Sequence, residues 1–176
     1  MEYASEVAKH DITAITTALV KGLLTAAVSE MVNNVNAIAI AKERNIKITE
    51  SKTSQVEEFA HLITAAVKSG DKPLSISGAL FANNQPRIVK IDGYYVDALP
   101  EGNMILISNK DVPGVVGQLG TLLGKNGINI AGMTFGRQKP SGKAISLCNV
   151  DSKISAELIA QLKGLKDIFD ARAISL

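Results

Sequence analysis

Residues 109–130 read NKDVPGVVGQLGTLLGKNGINI, and the placement of their glycines decides how the second half of the chain folds. Gly114 and Gly127 stand where a helix would begin and end. Gly117, Gly120 and Gly124 fall inside it, where each costs about 1 kcal/mol relative to alanine. Pro113 suits the first turn, because its missing N–H has no intrahelical partner to lose. Gly127 suits the left-handed residue that closes many helices. Val115, Val116, Leu119, Leu122 and Leu123 form the apolar face of a helix predicted over 113–126. The three inner glycines repeat at three- and four-residue spacing along one side of it. Such a stripe lets another backbone approach closely, and its plainest use is tight packing of the helix on its own sheet.

Working outward, strands are predicted at 104–108, 128–136, 144–150 and 168–174, a second helix at 155–163, and a turn at Pro140-Ser141-Gly142. The order βαββαβ is the ferredoxin-like arrangement, with two helices on one face of an antiparallel sheet. The stretch DALPEGN, residues 97–103, marks a boundary before it. Upstream, a short strand over 2–10 is followed by Asp11 and Thr13, which offer helix-capping chemistry. Ile15, Leu19 and Leu23 then recur at helical spacing. A second helix carries Val32, Val35, Ile38 and Ala39 and ends near Asn45, a suitable C-terminal cap. From Ile46 the period changes: IKIT, HLITAAVKS, KPLSISGALF and PRIVKIDGYYV read as strands. They are punctuated by Gly70-Asp71, Asn83-Asn84 and the strong hairpin signal Asp92-Gly93. The fold class is therefore α/β of the α+β kind. A small mixed-sheet domain with two helices, residues 1–102, precedes a ferredoxin-like βαββαβ domain, residues 103–176.

The chain of 176 residues is 46% hydrophobic, enough for one medium domain or two small ones, and it has no Trp, so its core rests on Ala, Val, Ile and Leu. Nineteen basic against 17 acidic residues leave a net charge of +2. That balance, without Lys/Arg clusters interleaved by aromatics, argues against a nucleic-acid partner. The segment 14–28 is broken by Lys21 and dotted with Thr, so no membrane span is expected. A lone cysteine, Cys148, makes no internal disulfide and fits a cytoplasmic setting. His10 and His61 lie outside any spaced ligand motif, and no metal site is expected. Neither has a motif-level partner for nucleophilic catalysis, and Cys148 reads as a buried small residue on a strand.

Two phosphate-loop readings of the glycines fail on spacing. Leu119 and Asn126 break the G-x-x-x-x-G-K-[ST] pattern, and no two of the glycines are separated by a single residue. What remains is the helix start. Free N–H groups around Gly114, Val115 and Val116 can receive a carboxylate. Asp111 can pair with an ammonium group, and Asn129 can donate and accept. Together they suit a free amino acid. The plainer alternative is that Asp111 caps the helix and Asn129 satisfies a turn.

The stretch NKDVPGVVGQLGTLLGKNGINIAGMTFGR resembles the ACT domain of D-3-phosphoglycerate dehydrogenases. VNNVNAIAIAKERNIKITESK and ALFANNQPRIVKIDGYYVDALPEGNMILI resemble the intervening, allosteric substrate-binding domain of the long form of that family. The resemblance covers nearly the whole chain in the family's order. It implies a regulatory region alone: the Rossmann domain and the catalytic Arg, Glu and His of the family have no counterpart here. No cofactor is then expected in this chain, with NAD belonging to the parent enzyme.

By the same resemblance two ACT domains pair and bind L-serine or a similar amino acid between them. The effector-binding positions map to Asn109, Asp111, Pro113, Gly114, Val115, Val116, Asn129 and Ile130. Asp111 would hold the ammonium, the amides after Pro113 the carboxylate, and Asn129 would reach across from the other copy. Arg87 matches a basic position of a possible anion-binding site of the intervening domain and Lys90 lies on the same strand, although a solvated strand face is the plainer account of both. Tyr94, Tyr95 and Leu99 stand where some relatives carry basic residues. The partners implied are a second copy of the chain and catalytic dehydrogenase domains. Two alternatives remain: the regulatory beta subunit of an iron–sulfur L-serine dehydratase, and an oligomerisation module without an effector.

Overall fold

The computed structural model describes residues 1–53, 59, 61–69 and 72–176. They divide into two compact units, Met1–Leu80 and Phe81–Leu176.

In the first unit, β1 (Glu2–Ser5) leads through a 3-10 turn (Glu6–Lys9) into helix α1 (Thr13–Thr25). Helix α2 (Ala37–Glu43), β2 (Ser51–Thr53), β3 (His61–Ser69) and β4 (Lys72–Phe81) follow. The strand order is β2-β1-β3-β4. β1 pairs parallel with β2 and antiparallel with β3, which makes the sheet mixed. β3 and β4 run antiparallel from Leu62 opposite Ala79 to Ser69 opposite Lys72. The turn predicted at Gly70-Asp71 lies outside the described residues.

Three local expectations change. The first strand stops at Ser5, whose positive φ of 65° takes the backbone out of the extended region. Residues 46–49 form no strand, and the pairing begins only at Ser51. The second helix starts at Ala37, so Val35 is 92% exposed and Ala39 also faces outward. The cause is a pair of reciprocal asparagines. Asn33 Oδ1 accepts from the amides of Val35 and Asn36 at 2.8 and 3.0 Å, and Asn36 Oδ1 accepts from the amide of Asn33 at 2.7 Å. Side-chain turns of this kind hold the chain out of the helix for one more turn.

Past that turn, α2 packs Ala37, Ile40 and Ala41 against Val20 and Leu24 of α1. It ends as expected on Asn45, left-handed at φ 56°. The Ile46 amide reaches the Ala41 carbonyl at 2.8 Å and the Asn45 amide reaches that of Lys42 at 3.0 Å. Tyr3, fully buried, satisfies its hydroxyl on Thr16 Oγ1 at 2.7 Å, and Thr16 in turn bonds Glu50.

The second unit opens with a hairpin, β5 (Gln85–Ile91) and β6 (Tyr94–Ala98). Asp92 and Gly93 both have positive φ, 48° and 79°, the turn that the Asp-Gly pair favours. Next come β7 (Asn103–Lys110), α3 (Val115–Lys125), β8 (Ile130–Arg137), β9 (Lys143–Val150), α4 (Ala156–Lys163) and β10 (Ile168–Ser175). The four-stranded sheet has the order β10-β7-β9-β8, antiparallel throughout. This is the ferredoxin-like βαββαβ fold.

One face of this sheet carries the helices. Ile105, Ile107, Cys148 and Val150 are buried with Leu119 and Leu123 of α3 and Leu158 and Leu162 of α4. Ser155 caps α4 by accepting from the Leu158 amide at 3.1 Å. The other face is covered as well, which periodicity did not show. Met104, Ile145 and Leu147 pack with Ile91, Val96 and Ala98 of the β5–β6 hairpin. The division drawn from sequence at residue 102 and the contact division at Leu80 therefore differ by this hairpin.

Candidate functional site

The glycine stripe faces away from the protein's own core. Among the described residues, a Cβ built on Gly117, Gly120 or Gly124 meets nothing within 4 Å. Packing of α3 on its sheet uses Val115, Leu119 and Leu123 instead, so tight helix-on-sheet packing does not explain the stripe. A shallow groove of about 380 Å³ runs beside it, lined by Gly117, Gln118, Thr121, Leu122, Lys125 and Leu165. Val116, expected on the apolar face, is 53% exposed.

The helix begins two residues later than expected. Gly114 is left-handed, with φ 93°, a conformation that ends any right-handed helix running through it. Pro113 and Gly114 therefore make the turn, and α3 starts at Val115. Its first backbone bond runs from the Gln118 amide to the Gly114 carbonyl at 3.0 Å. Among the described residues no side chain caps this end, and the amides of Val115, Val116 and Gly117 have no acceptor. They remain available to an anion. At the far end Gly127, with φ 68°, closes the helix: the Ile128 amide bonds the Leu123 carbonyl and the Gly127 amide that of Gly124, both at 3.0 Å.

Asp111 does not cap α3. Its Oδ2 accepts from Arg137 Nη1 at 3.2 Å and from the Ser141 amide at 3.3 Å, while its own amide donates to the Gly142 carbonyl at 2.8 Å. Topology explains this meeting. β7 and β8 both run antiparallel to β9, so both end at the same edge of the sheet. Asp111 follows the end of β7, and Arg137 is the last residue of β8. Sequence reasoning missed Arg137, although in the βαββαβ arrangement the first two strands end at the same end of the sheet, on either side of the third. Lys110 and Lys143 stand opposite each other at that same edge.

Asn109 is 3% exposed and its side-chain amide is bonded at both ends inside the domain. Its Oδ1 accepts from Ser146 Oγ at 2.9 Å and its Nδ2 donates to the Lys110 carbonyl at 2.8 Å. It supports the turn from within. Asn129 and Ile130 lie at the opposite end of β8, where Asn129 Nδ2 donates to Asp151 Oδ2 at 2.6 Å. Eight strand residues, roughly 24 Å at about 3.4 Å per step, separate that end from Asp111. One chain thus groups Asn109, Asp111, Pro113, Gly114, Val115 and Val116 at one edge and leaves Asn129 and Ile130 at the other. β8 is the edge strand between them.

The two cations on β5 are already partnered. Arg87 Nη1 lies 3.3 Å from Asp97 Oδ1, and Lys90 Nζ sits 4.4 Å from the centre of the Tyr95 ring, a cation–π contact. One donor remains: Arg87 Nε is buried with no acceptor among the described residues.

Cys148 is completely buried in the helix-side core, and burial pushes its thiol up to about 12. From an ordinary value of 9.0, that lowers the thiolate fraction on the order of a thousandfold at a given pH below both values. At pH 8 a thiol reagent is expected to leave the native chain unlabelled while reacting completely in denaturant. Stoichiometric labelling without denaturant would show that the core around β9 opens. Among the described residues no group of three or more His, Cys, Asp or Glu side chains gathers in metal-binding range, and no helix is long and apolar enough to cross a membrane.

Comparison with known proteins agrees with this architecture. The profile of the D-3-phosphoglycerate dehydrogenase intervening domain matches residues 1–92, and that of the ACT domain matches residues 103–167. The curated D-3-phosphoglycerate dehydrogenase of Methanocaldococcus jannaschii is 40% identical over 174 residues, covering 99% of this chain and 33% of the relative. That of Archaeoglobus fulgidus is 41% identical over 164 residues, covering 92% and 31%. That of Bacillus subtilis is 32% identical over 176 residues, covering 100% and 34%. The chain spans about one third of the length of these relatives. It belongs to the D-3-phosphoglycerate dehydrogenase intervening-domain family and, with its ACT domain, corresponds to the C-terminal regulatory region of those enzymes.

Proposed function

We propose that this chain senses L-serine, or a similar amino acid, and assembles the NAD-dependent D-3-phosphoglycerate dehydrogenase of serine biosynthesis to which its catalytic relatives point, in the cytoplasm. The observation that carries this reading is the split site. Asp111 and the free amides of α3 lie at one end of the edge strand β8, and Asn129 lies at the other. A two-fold axis that pairs β8 antiparallel with β8 of a second copy brings the second copy's Asn129 to Asp111. It also covers an open edge. The outward glycine stripe lets the two α3 helices approach. An amino acid then finds a carboxylate for its ammonium, helix amides for its carboxylate and an amide from across the interface. The dehydrogenase names of the matched relatives favour this parent over an iron–sulfur dehydratase. An effector-free oligomerisation module remains an outcome of the test.

Thermal denaturation provides that test. A ligand that binds only the folded protein stabilises it by about 2.7 kcal/mol at a hundredfold excess over its Kd. L-Serine is expected to raise the melting temperature, and lactate, which lacks the ammonium group, is not. Asp111→Ala should abolish most of the shift and Asn129→Ala part of it, with the unliganded protein still folded. An unchanged shift in Asp111→Ala places the site elsewhere. No shift in the parent chain leaves only the assembly role, which sedimentation at micromolar concentration checks directly: a pure monomer there removes the pairing.

A further inference from the structure

The Asp111–Arg137 pair is more than a surface ion pair. Arg137 Nη1 approaches Asp111 Oδ2 at 3.2 Å, with the two side chains 62% and 29% exposed. A pair so open to water contributes little, and separating it costs little. Its polarity is that of an α-amino acid reversed: a fixed anion facing a fixed cation, matching an ammonium and a carboxylate carried on one carbon. The residues flanking Arg137 are seated against the hairpin. Alternate residues of β8 face opposite sides. Thr134 Oγ1 accepts the Asp97 amide at 3.1 Å, Gly136 lies against the Tyr95 carbonyl, and Gln138 lies against Gly93. Thus the hairpin grips the strand on one face while Arg137 reaches Asp111 on the other.

We infer that Arg137 is the carboxylate-binding residue of the effector site and that an α-amino acid inserts between it and Asp111. This rests on the amino-acid-sensing reading above. The ammonium takes the place of the guanidinium on Asp111, and the guanidinium turns to the carboxylate, where its planar fork makes two parallel bonds. One solvent-exposed pair is exchanged for two. The α3 amides add neutral donors to the same carboxylate. Because each end of the ligand satisfies a charge released by the other, the site selects molecules that carry both. An amine without a carboxylate, or a hydroxy acid without an ammonium, opens the pair and leaves one side unmatched.

Titration calorimetry on the 176-residue chain tests this with L-serine, ethanolamine and L-glycerate against the parent, Arg137→Gln and Arg137→Lys. The parent is expected to bind L-serine and to discriminate strongly against both single-charge analogues. Arg137→Gln should weaken L-serine about tenfold or more. It should leave ethanolamine equal or tighter, because Asp111 is released, so the preference for serine over ethanolamine collapses. Arg137→Lys, which keeps the charge without the fork, should fall between and carries the test should the glutamine variant not fold. Serine binding to Arg137→Gln as tight as to the parent, or tighter, overturns the inference and makes Arg137 a mere competitor for Asp111. Absence of serine binding in the folded parent removes the amino-acid reading itself, and this inference with it.

Discussion

Replacing Gly117, Gly120 and Gly124 together by alanine is expected to stabilise the unit that carries α3 by about 1.5–3 kcal/mol. Each glycine in a helix interior sacrifices roughly 0.5–1 kcal/mol relative to alanine through backbone entropy. At none of the three does a methyl group meet anything within 4 Å among the described residues, so no contact there offsets the gain. For a chain of this length the melting temperature should rise roughly 3–12 °C. Self-association should move the other way if the stripe faces a second copy, because three added methyl groups then hold two helices apart. Sedimentation of the triple variant decides it. A monomer with a raised melting temperature confirms that the stripe serves the pairing, whereas a dimer of undiminished affinity shows that the glycines face open solvent.

Gly136→Val is expected to act with the opposite sign and comparable size. A Cβ at this position falls 2.5 Å from the Tyr95 carbonyl oxygen, 3.0 Å from Tyr94 Cβ and 3.2 Å from Val96 Cγ1. The nearest of these is backbone and cannot swing aside, so the hairpin must lift off β8. Overpacking of this kind costs about 3 kcal/mol, a fall in melting temperature of roughly 6–12 °C. Gly132→Ala on the same strand is the control. Its Cβ first meets Asn149 Oδ1, at 4.0 Å, so it should change stability far less. Equal melting temperatures for Gly136→Val and Gly132→Ala would mean that the hairpin does not sit on β8.

Much of the second unit was legible because its punctuation is chemical. Gly127 closes α3 through the two bonds that a left-handed glycine permits, Ser155 caps α4, and Asp92-Gly93 turns the hairpin through two positive φ angles. The start of α3 was misplaced because a Pro-Gly pair reads equally well as a first turn or as the bend before it. Only the φ of 93° at Gly114 distinguishes them. In the first unit, Val35 looked like a core residue by spacing, but the hydrogen bonds between Asn33 and Asn36 delay the helix. Asp111 and Asn129 drew notice through their chemistry. Arg137 did not, because its role depends on two strand ends meeting across a third. The destination of the hairpin was hidden for the same kind of reason. Val96, Ala98 and Ile91 have the alternation of any half-buried strand, and periodicity says which residues are buried but not against what.

The seating of that hairpin bears on modularity. The two family profiles stop at residue 92 and resume at 103, as though a recombination event could exchange an ACT domain at the gap between them. A break there would strip the cover from Met104, Ile145 and Leu147 and hand the recipient a sheet with one oily face bare. The compact unit is the ACT sheet together with its upstream hairpin, from Phe81 onward. A cut before Phe81 keeps that face covered, whereas a cut at the profile boundary exposes an apolar patch prone to aggregation.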